Sequence, residues 1–73
     1  MKYISSDPKI MAGNPVIHGT RIPISVILAR IKQGHTVDEI HEMYNWVSLD
    51  KLKGAIDEVS QVIVSTLHAK KAL

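Results

Sequence analysis

The apolar positions of the chain change period at residue 24, where a helical repeat begins. Aliphatic side chains recur there at i, i+3, i+4 and i+7, namely Ile24, Ile27, Leu28 and Ile31. This spacing places them on one face of a helix, with polar side chains on the other. Gly34 follows, and glycine suits the left-handed conformation that ends many helices. The pattern therefore predicts a first helix over about Ser25–Gln33.

A second helix is indicated by the stretch TVDE, residues 36–39. In the capping-box pattern the Thr36 hydroxyl accepts a hydrogen bond from the Glu39 amide, while the Glu39 carboxylate accepts one from the Thr36 amide. The helix is predicted over about Val37–Tyr44. Its inward-facing side chains are expected to be Val37, Ile40, Met43 and Tyr44.

A third, longer helix is predicted from Leu49 to about Lys70, with Ser48 as its N-cap and Asp50 near the positive end of its dipole. Its apolar stripe is spaced by four, three, four and four residues: Leu52, Ile56, Val59, Ile63 and Leu67. At roughly 33 Å, the helix is longer than a three-helix core of this size requires. We therefore expect an oligomer interface at Val59, Val62, Ile63 and Leu67. The alternative is that this end of the helix folds back on the N-terminal strands.

The first 23 residues are predicted to be extended, because the three prolines that lie there each interrupt a helix. Two short strands, Tyr3–Ile4 and Val16–Ile22, are expected and can pair with each other. Turn-forming residues occupy Met11–Pro15, and Gly19 is expected to form a bulge within the second strand. Since an isolated two-stranded hairpin is marginally stable in water, it should rest on the helices or on a second chain.

Short turns, GHT and NWVS, join the three helices in the order of a helix-turn-helix domain. In that plan the helix after the second turn enters the DNA major groove. Here that helix presents the candidate DNA contacts Ser48, Asp50, Lys51 and Lys53. Two lysines beside an aspartate attract phosphates only modestly, so a trihelical bundle without a DNA role fits equally well. Trp46, in the second turn, is expected to plug the core over the second and third helices, with base stacking as the alternative.

Charge is distributed unevenly along the chain, although the net charge is only +2. Residues 1–35 carry five basic residues and one acidic residue, or +4, whereas residues 36–47 carry three acidic residues, or −3. Residues 48–73 carry four basic and three acidic residues, or +1. A basic N-terminal third suits an acidic surface or a phosphate backbone. Scattered lysines on a solvated surface are the simpler explanation.

The sequence contains no motif for catalysis, metal binding or membrane insertion. It has no cysteine, and no two of its four histidines have the helical i, i+4 spacing of a metal motif. The acidic residues at 38, 39 and 42 fall on a solvated helix face, and neither a phosphate-binding glycine loop nor a nucleophile elbow is present. There is also no apolar run of about 20 residues and no secretory leader. We expect a non-enzymatic protein of the cytoplasm that binds no metal and no cofactor.

The opening region carries a further set of motifs. They are Ile4 with Asp7-Pro8-Lys9-Ile10, Gly13 with Pro15-Val16-Ile17, then Gly19-Thr20-Arg21-Ile22-Pro23, the break at Gly34, and the capped second helix ending at Tyr44. With these motifs, which span about residues 3–59, the chain resembles the small prokaryotic proteins of domain-of-unknown-function family 433, related to VapB-type antitoxins. Asn14 stands where a second glycine is common, and the last helix runs further than the domain requires.

The resemblance implies both a fold and a role. The fold class expected is mainly α, a three-helix homeodomain-like helix-turn-helix domain with a short N-terminal β arm or hairpin. Residues 1–73 would form a single domain, with the β arm at 1–23, the trihelical core at 24–59 and a C-terminal helix extension at 60–73. Proteins of this kind resemble dimeric antitoxins that bind a PIN-like nuclease toxin encoded beside them and, with it, repress their own operon.

With such a nuclease as partner, the candidate toxin contacts are Gly19, Thr20, Arg21, Ile22 and Pro23. PIN-like nucleases hold a divalent metal with clustered carboxylates, and a guanidinium such as that of Arg21 can pair with two carboxylate oxygens at once. Gly19 would let the backbone approach closely, and Pro23 would limit the entropy lost on ordering. The alternative is that Arg21 makes an intramolecular salt bridge or caps a helix end.

The sequence thus favours an antitoxin that neutralises a PIN-like ribonuclease and contacts operator DNA. One rival is a stand-alone helix-turn-helix transcriptional regulator, in which Lys51 and Lys53 carry salt-dependent binding to a palindromic DNA site. The other rival is a purely structural oligomerisation module, in which the stripe from Val59 to Leu67 is the whole function.

Overall fold

The structure, a computed structural model, describes residues 2–71 of the 73-residue chain, with side chains described as far as Leu67. Its strands are β1 (Ile4–Ser5) and β2 (Val16–Ile17), and its helices are α1 (Ile24–Lys32), α2 (Val37–Met43) and α3 (Leu49–Lys71). The helices differ from their predicted ranges by one residue at most. The predicted mainly α fold with an N-terminal hairpin is thereby confirmed. The last two residues of the predicted extension at 60–73 lie outside the described residues.

The two strands form an antiparallel hairpin, with Ile4 opposite Ile17 and Ser5 opposite Val16. The predicted second strand, Val16–Ile22, is wrong in its extent, because β2 ends at Ile17 and the chain then reverses. After the reversal the Ile17 amide donates to the Ile22 carbonyl at 3.0 Å, and Val16 pairs with Pro23. Val16 and Ile17 therefore have a neighbour on each side, β1 on one and residues 22–23 on the other.

The predicted turn between the strands is a 3₁₀ turn over Met11–Gly13. Met11, Ala12 and Gly13 all have left-handed backbone conformations, with φ of 51°, 55° and 84°. For the two residues with a β-carbon this conformation costs roughly 1 kcal/mol each or more. The amides of Gly13 and Asn14 offset part of that cost by donating to the carbonyls of Ile10 and Met11, each at 3.1 Å.

All three predicted helix caps are present. At the end of α1, Gly34 has φ of 95°, and the amides of Gly34 and His35 donate to the carbonyls of Ile31 and Arg30, which is a Schellman motif. At the start of α2, the Thr36 hydroxyl accepts from the Glu39 amide at 3.2 Å and the Thr36 amide donates to the Glu39 carboxylate at 2.9 Å. At the start of α3, the Ser48 hydroxyl accepts from the amide of Lys51.

A hydrophobic core joins the hairpin to the helices. Its buried side chains are Val16, Ile17, Ile22, Ile24, Ile27, Ile40, Val47, Leu52 and Ala55. Three of these come from the N-terminal arm, so the arm is an integral part of the folded unit rather than an appendage. Within residues 2–71, no helix combines the length and the apolar character needed to cross a membrane.

Two predicted core residues are instead exposed. Trp46 is 66% exposed and Met43 is 43% exposed, so placing them in the core was wrong. The physical reason is the turn after α2, in which the Val47 amide donates to the Tyr44 carbonyl at 3.0 Å. This turn directs Val47 inward, to 3% exposure, and leaves the larger indole outside.

Replacing Glu39 with alanine is expected to destabilise the domain at neutral pH. Hydrogen bonds from the Thr36 amide and hydroxyl lower the pKa of Glu39 below its ordinary value. A group with a lowered pKa in the folded state stabilises the protein above its unfolded-state pKa and loses that contribution as the pH falls through the folded-state pKa. Urea unfolding across the acid range should therefore show the difference between wild type and Glu39→Ala shrinking below about pH 4.

The matched control is Glu42→Ala, which removes an exposed carboxylate near the other end of α2. A negative charge is unfavourable at a helix C-terminus, so this change should leave stability unaltered or raise it slightly. Equal losses of stability for the two variants would contradict the role assigned to the capping box.

Candidate functional site

The turn at residues 18–21 connects the paired residues Ile17 and Ile22, and we call it the 18–21 turn. Its conformation is fixed from within by Thr20. The Thr20 amide and hydroxyl both donate to the Ile17 carbonyl, at 2.9 and 2.7 Å, and the hydroxyl oxygen accepts from the Ile22 amide at 3.1 Å. The His18 amide, at the start of the turn, donates to the Tyr3 carbonyl at 2.9 Å. The turn is therefore a pre-organised projection at the end of the hairpin.

Gly19 brings this turn against the start of α3. Its φ of 79° lies in the left-handed region, so it forms part of a tight reversal and not the predicted bulge. A β-carbon built on Gly19 would lie 3.4 Å from Nζ of Lys51. The Lys51 ammonium thus lies beside the 18–21 turn, although the two are distant in the chain.

The five residues predicted to contact a toxin do not share one environment. Arg21 is exposed, and among the described residues its guanidinium makes neither an ion pair nor a hydrogen bond. Gly19 is exposed as well, and Thr20 is half-buried. Ile22, by contrast, is only 6% exposed and belongs to the core, and half-buried Pro23 is the N-cap of α1. The pairing with Ile17 turns the Ile22 side chain inward, so of Ile22 only the backbone is left for the predicted contact.

The four residues predicted to contact DNA are also divided. Ser48 uses its hydroxyl to cap α3, accepting from the Lys51 amide at 3.2 Å. Lys51 lies half-buried on the flank of α3 that faces the hairpin. Asp50 and Lys53 are exposed, and the helical period turns them away from that flank. The first turns of α3 therefore do not present the four side chains on one surface.

The N-terminal arm is fastened to α3 by contacts that sequence reasoning missed. The Glu58 carboxylate accepts from the amides of Lys2 and Tyr3, at 2.8 and 3.0 Å. The Tyr3 ring covers Gly54, where an added β-carbon would lie 2.6 Å from Cγ and Cε2 of the ring. A glycine inside a helical pattern often has a packing reason. That signal could have identified Gly54, but nothing in the sequence indicated Tyr3 or Glu58.

The predicted oligomer interface is exposed, apart from its first residue. Val59 is half-buried against the core, whereas Val62, Ile63 and Leu67 are 44%, 46% and 54% exposed. Ile63 and Leu67 continue the apolar line of α3 beyond the last turn that the core covers. The alternative, in which this end folds back on the N-terminal strands, does not occur in the described residues.

A groove of about 410 Å³ lies beside this apolar line, between the arm, α1 and α3. Its lining residues are Ile4, Asn14, Pro15, Ile24, Ser25, Leu28, Val59 and Val62. Val62 therefore belongs both to the groove and to the exposed stripe. In the part of the chain that the structure describes, no cluster of His, Asp and Glu side chains could hold a metal ion.

Comparison with known proteins identifies the family of the segment that contains the hairpin and the 18–21 turn. Residues 4–57 match the family model described as "Protein of unknown function (DUF433)". The chain belongs to this family. Within DUF433, the match takes in the hairpin, the 18–21 turn, α1, α2 and the first turns of α3. It ends before Glu58 and before the exposed stripe of α3, so those features lie outside the matched segment.

A curated relative of this DUF433 chain is the "Uncharacterized protein y4eO" of Sinorhizobium fredii (strain NBRC 101917 / NGR234). The two are 40% identical over 52 residues, which is 71% of this chain and 23% of the relative. The chain thus corresponds to less than a quarter of the relative's length. No solved structure matches the chain.

Proposed function

We propose that this DUF433 protein is an antitoxin-like, non-enzymatic inhibitor that binds a PIN-like ribonuclease in the cytoplasm. The observation that supports the proposal best is the exposed Arg21 guanidinium, held on the rigid 18–21 turn without a partner among the described residues. A cation presented in this way suits a concave acidic surface. The resemblance to VapB-type antitoxins supplies the class of partner.

The chemistry of such a complex follows from the two surfaces. PIN-like nucleases hold a divalent metal with clustered carboxylates, so their catalytic clefts are acidic. A guanidinium pairs with a carboxylate through two parallel hydrogen bonds and stays charged at any physiological pH. Because Thr20 already fixes the turn, little conformational entropy remains to be lost on binding. Arg21 would occupy the cleft and exclude both metal and RNA.

Replacing Arg21 with alanine is expected to weaken inhibition of the nuclease encoded in the adjoining reading frame about 30-fold or more, or about 2 kcal/mol. Arg21→Lys should weaken inhibition by a smaller factor, since lysine keeps the charge but not the paired hydrogen bonds. Lys32→Ala is the matched control, because it removes an exposed cation at the far end of α1. Unchanged inhibition by Arg21→Ala, with an unchanged circular dichroism spectrum, would refute the proposal. So would an adjoining frame that encodes no nuclease-like protein.

We further propose a second ligand, operator DNA, on the basis of Trp46. Its indole is 66% exposed in the turn that leads into α3, and Lys53 is exposed in the first turns of that helix. Exposed aromatic and cationic side chains are common on surfaces that bind nucleic acid. The exposed Asp50 counts against a strong phosphate interaction, so DNA ranks below the nuclease as a partner.

A homodimer is the assembly that we infer. The exposed stripe formed by Val62, Ile63 and Leu67 extends the buried face of α3. Val62 also lines the apolar groove, so the stripe and the groove lie side by side on one surface. A surface with both features can pair with its own copy about a two-fold axis. Each copy would then present its 18–21 turn, and each turn would bind one nuclease.

A further inference from the structure

Lys51 was predicted to contact DNA, but it lies beside the 18–21 turn. We propose that Lys51 belongs to the same binding surface as Arg21 and contacts the acidic protein partner, rather than forming part of a DNA-reading helix. The proposal rests on the proposed function, since it assigns a second cation to that interface. Its basis is the position of Lys51, whose Nζ would lie 3.4 Å from a β-carbon on Gly19.

The surroundings of Lys51 restrict what can reach it. On the same flank of α3, the Tyr3 ring covers Gly54, and the Glu58 carboxylate holds the amides of Lys2 and Tyr3. The arm therefore lies along this flank. If α3 entered a DNA groove, its exposed side, which faces away from the arm, would have to face the bases. A ligand that contacts the Lys51 ammonium must instead cover the 18–21 turn as well.

The charges on the two sides of α3 favour the same assignment. The exposed outward side of its first turns carries Asp50, Lys53 and Asp57, which sum to −1. Such a surface attracts a phosphate backbone only weakly. On the hairpin side, the Glu58 carboxylate is already bound by the amides of Lys2 and Tyr3, whereas Lys51 lies beside the 18–21 turn, which carries Arg21. Two cations on neighbouring segments suit a partner surface that offers several carboxylates.

Arg21 and Lys51 would each bind a different carboxylate of the partner, in a geometry set by the side chain. Arg21, exposed at the tip, pairs in a planar geometry with one carboxylate. Lys51, half-buried beside Gly19, acts as a point charge toward a second carboxylate nearby. Because both act on one acidic pocket, removing one should change what the other contributes, and the effects of the two substitutions should not add.

The test is a double-mutant cycle measured as inhibition of the purified nuclease from the adjoining reading frame. The variants are Arg21→Ala, Lys51→Ala, the double variant and the matched control Lys53→Ala, each checked for folding by thermal unfolding. Lys51→Ala is expected to weaken inhibition about tenfold, and Lys53→Ala less than twofold. The double variant should lose less than the product of the two single losses.

The outcomes separate the inference from the proposed function. If Arg21→Ala weakens inhibition while Lys51→Ala behaves like Lys53→Ala, the inference is wrong and the proposed function stands. If neither Arg21→Ala nor Lys51→Ala weakens inhibition, the proposed function fails and the inference fails with it. Binding of a fluorescent duplex from the chain's own upstream region provides the second arm. Equal weakening of duplex binding by Lys51→Ala and Lys53→Ala, with inhibition unchanged, would assign Lys51 to a DNA surface and overturn the inference.

Discussion

Replacing Leu52 with alanine is expected to lower the free energy of unfolding by about 2–5 kcal/mol. Leu52 is fully buried, and it lies where α3 packs on α2 and on the hairpin. The substitution removes apolar contacts and leaves a cavity that the surrounding helices fill only in part. A domain of this size is stable by roughly 4–10 kcal/mol, so the loss is a large fraction of the total. Urea unfolding followed by circular dichroism measures it.

Leu67→Ala is the matched control, since it makes the same change in the same helix at a side chain that is 54% exposed. In the monomer it should alter stability by less than about 0.5 kcal/mol. If a second copy covers the stripe, Leu67→Ala should instead weaken self-association, which sedimentation at several concentrations would show. Equal losses for the two variants at low concentration would mean that the end of α3 is covered within its own chain.

The helices could be predicted because their signals are local. The cap at Thr36, the glycine at position 34 and the cap at Ser48 each act on residues no more than a few positions away. A hydrogen bond of that range depends little on the rest of the fold. The end of α1, the start of α2 and the start of α3 could therefore be placed from sequence to within one residue.

The second strand could not be predicted in full, because strand propensity does not identify a partner. Thr20 and Ile22 favour extended structure as much as Val16 and Ile17 do. The reversal between them depends on the left-handed Gly19 and on the Thr20 hydroxyl, which binds the Ile17 carbonyl. Pattern alone also cannot choose between adjacent apolar residues in a turn. Trp46 and Val47 were such a pair, and the smaller side chain is the buried one.

The candidate site shows the same division between local and distant contacts. Arg21 and the segment 19–23 could be singled out through the family resemblance, although the sequence predicted a bulged strand there and not the tight turn. The position of Lys51 beside Gly19 could not, since it depends on how α3 packs against the hairpin. The same holds for the Glu58 carboxylate and the Tyr3 amide, which are 55 residues apart in the chain. Such contacts leave no periodic trace in a single sequence.

The second large effect is expected at Gly54, where alanine should destabilise the domain by about 2–3 kcal/mol. In an open helix the change from glycine to alanine is stabilising. Here the added methyl group would lie 2.6 Å from Cγ and Cε2 of the Tyr3 ring. The ring must therefore move away, and the hydrogen bonds from the Lys2 and Tyr3 amides to Glu58 would be weakened with it.

In the Tyr3→Ala variant, Gly54→Ala is expected to have the opposite effect on stability, which tests whether the Tyr3 ring causes the destabilisation. In Tyr3→Ala the ring is absent, so Gly54→Ala meets no obstacle and should stabilise the protein by about 0.5–1 kcal/mol through helix propensity alone. Thermal or urea unfolding of the wild type, the two single variants and the double variant gives both differences. Destabilisation by Gly54→Ala in the Tyr3→Ala background would contradict this account, because it would place the conflict in the backbone of α3 instead of in the contact that fastens the N-terminal arm.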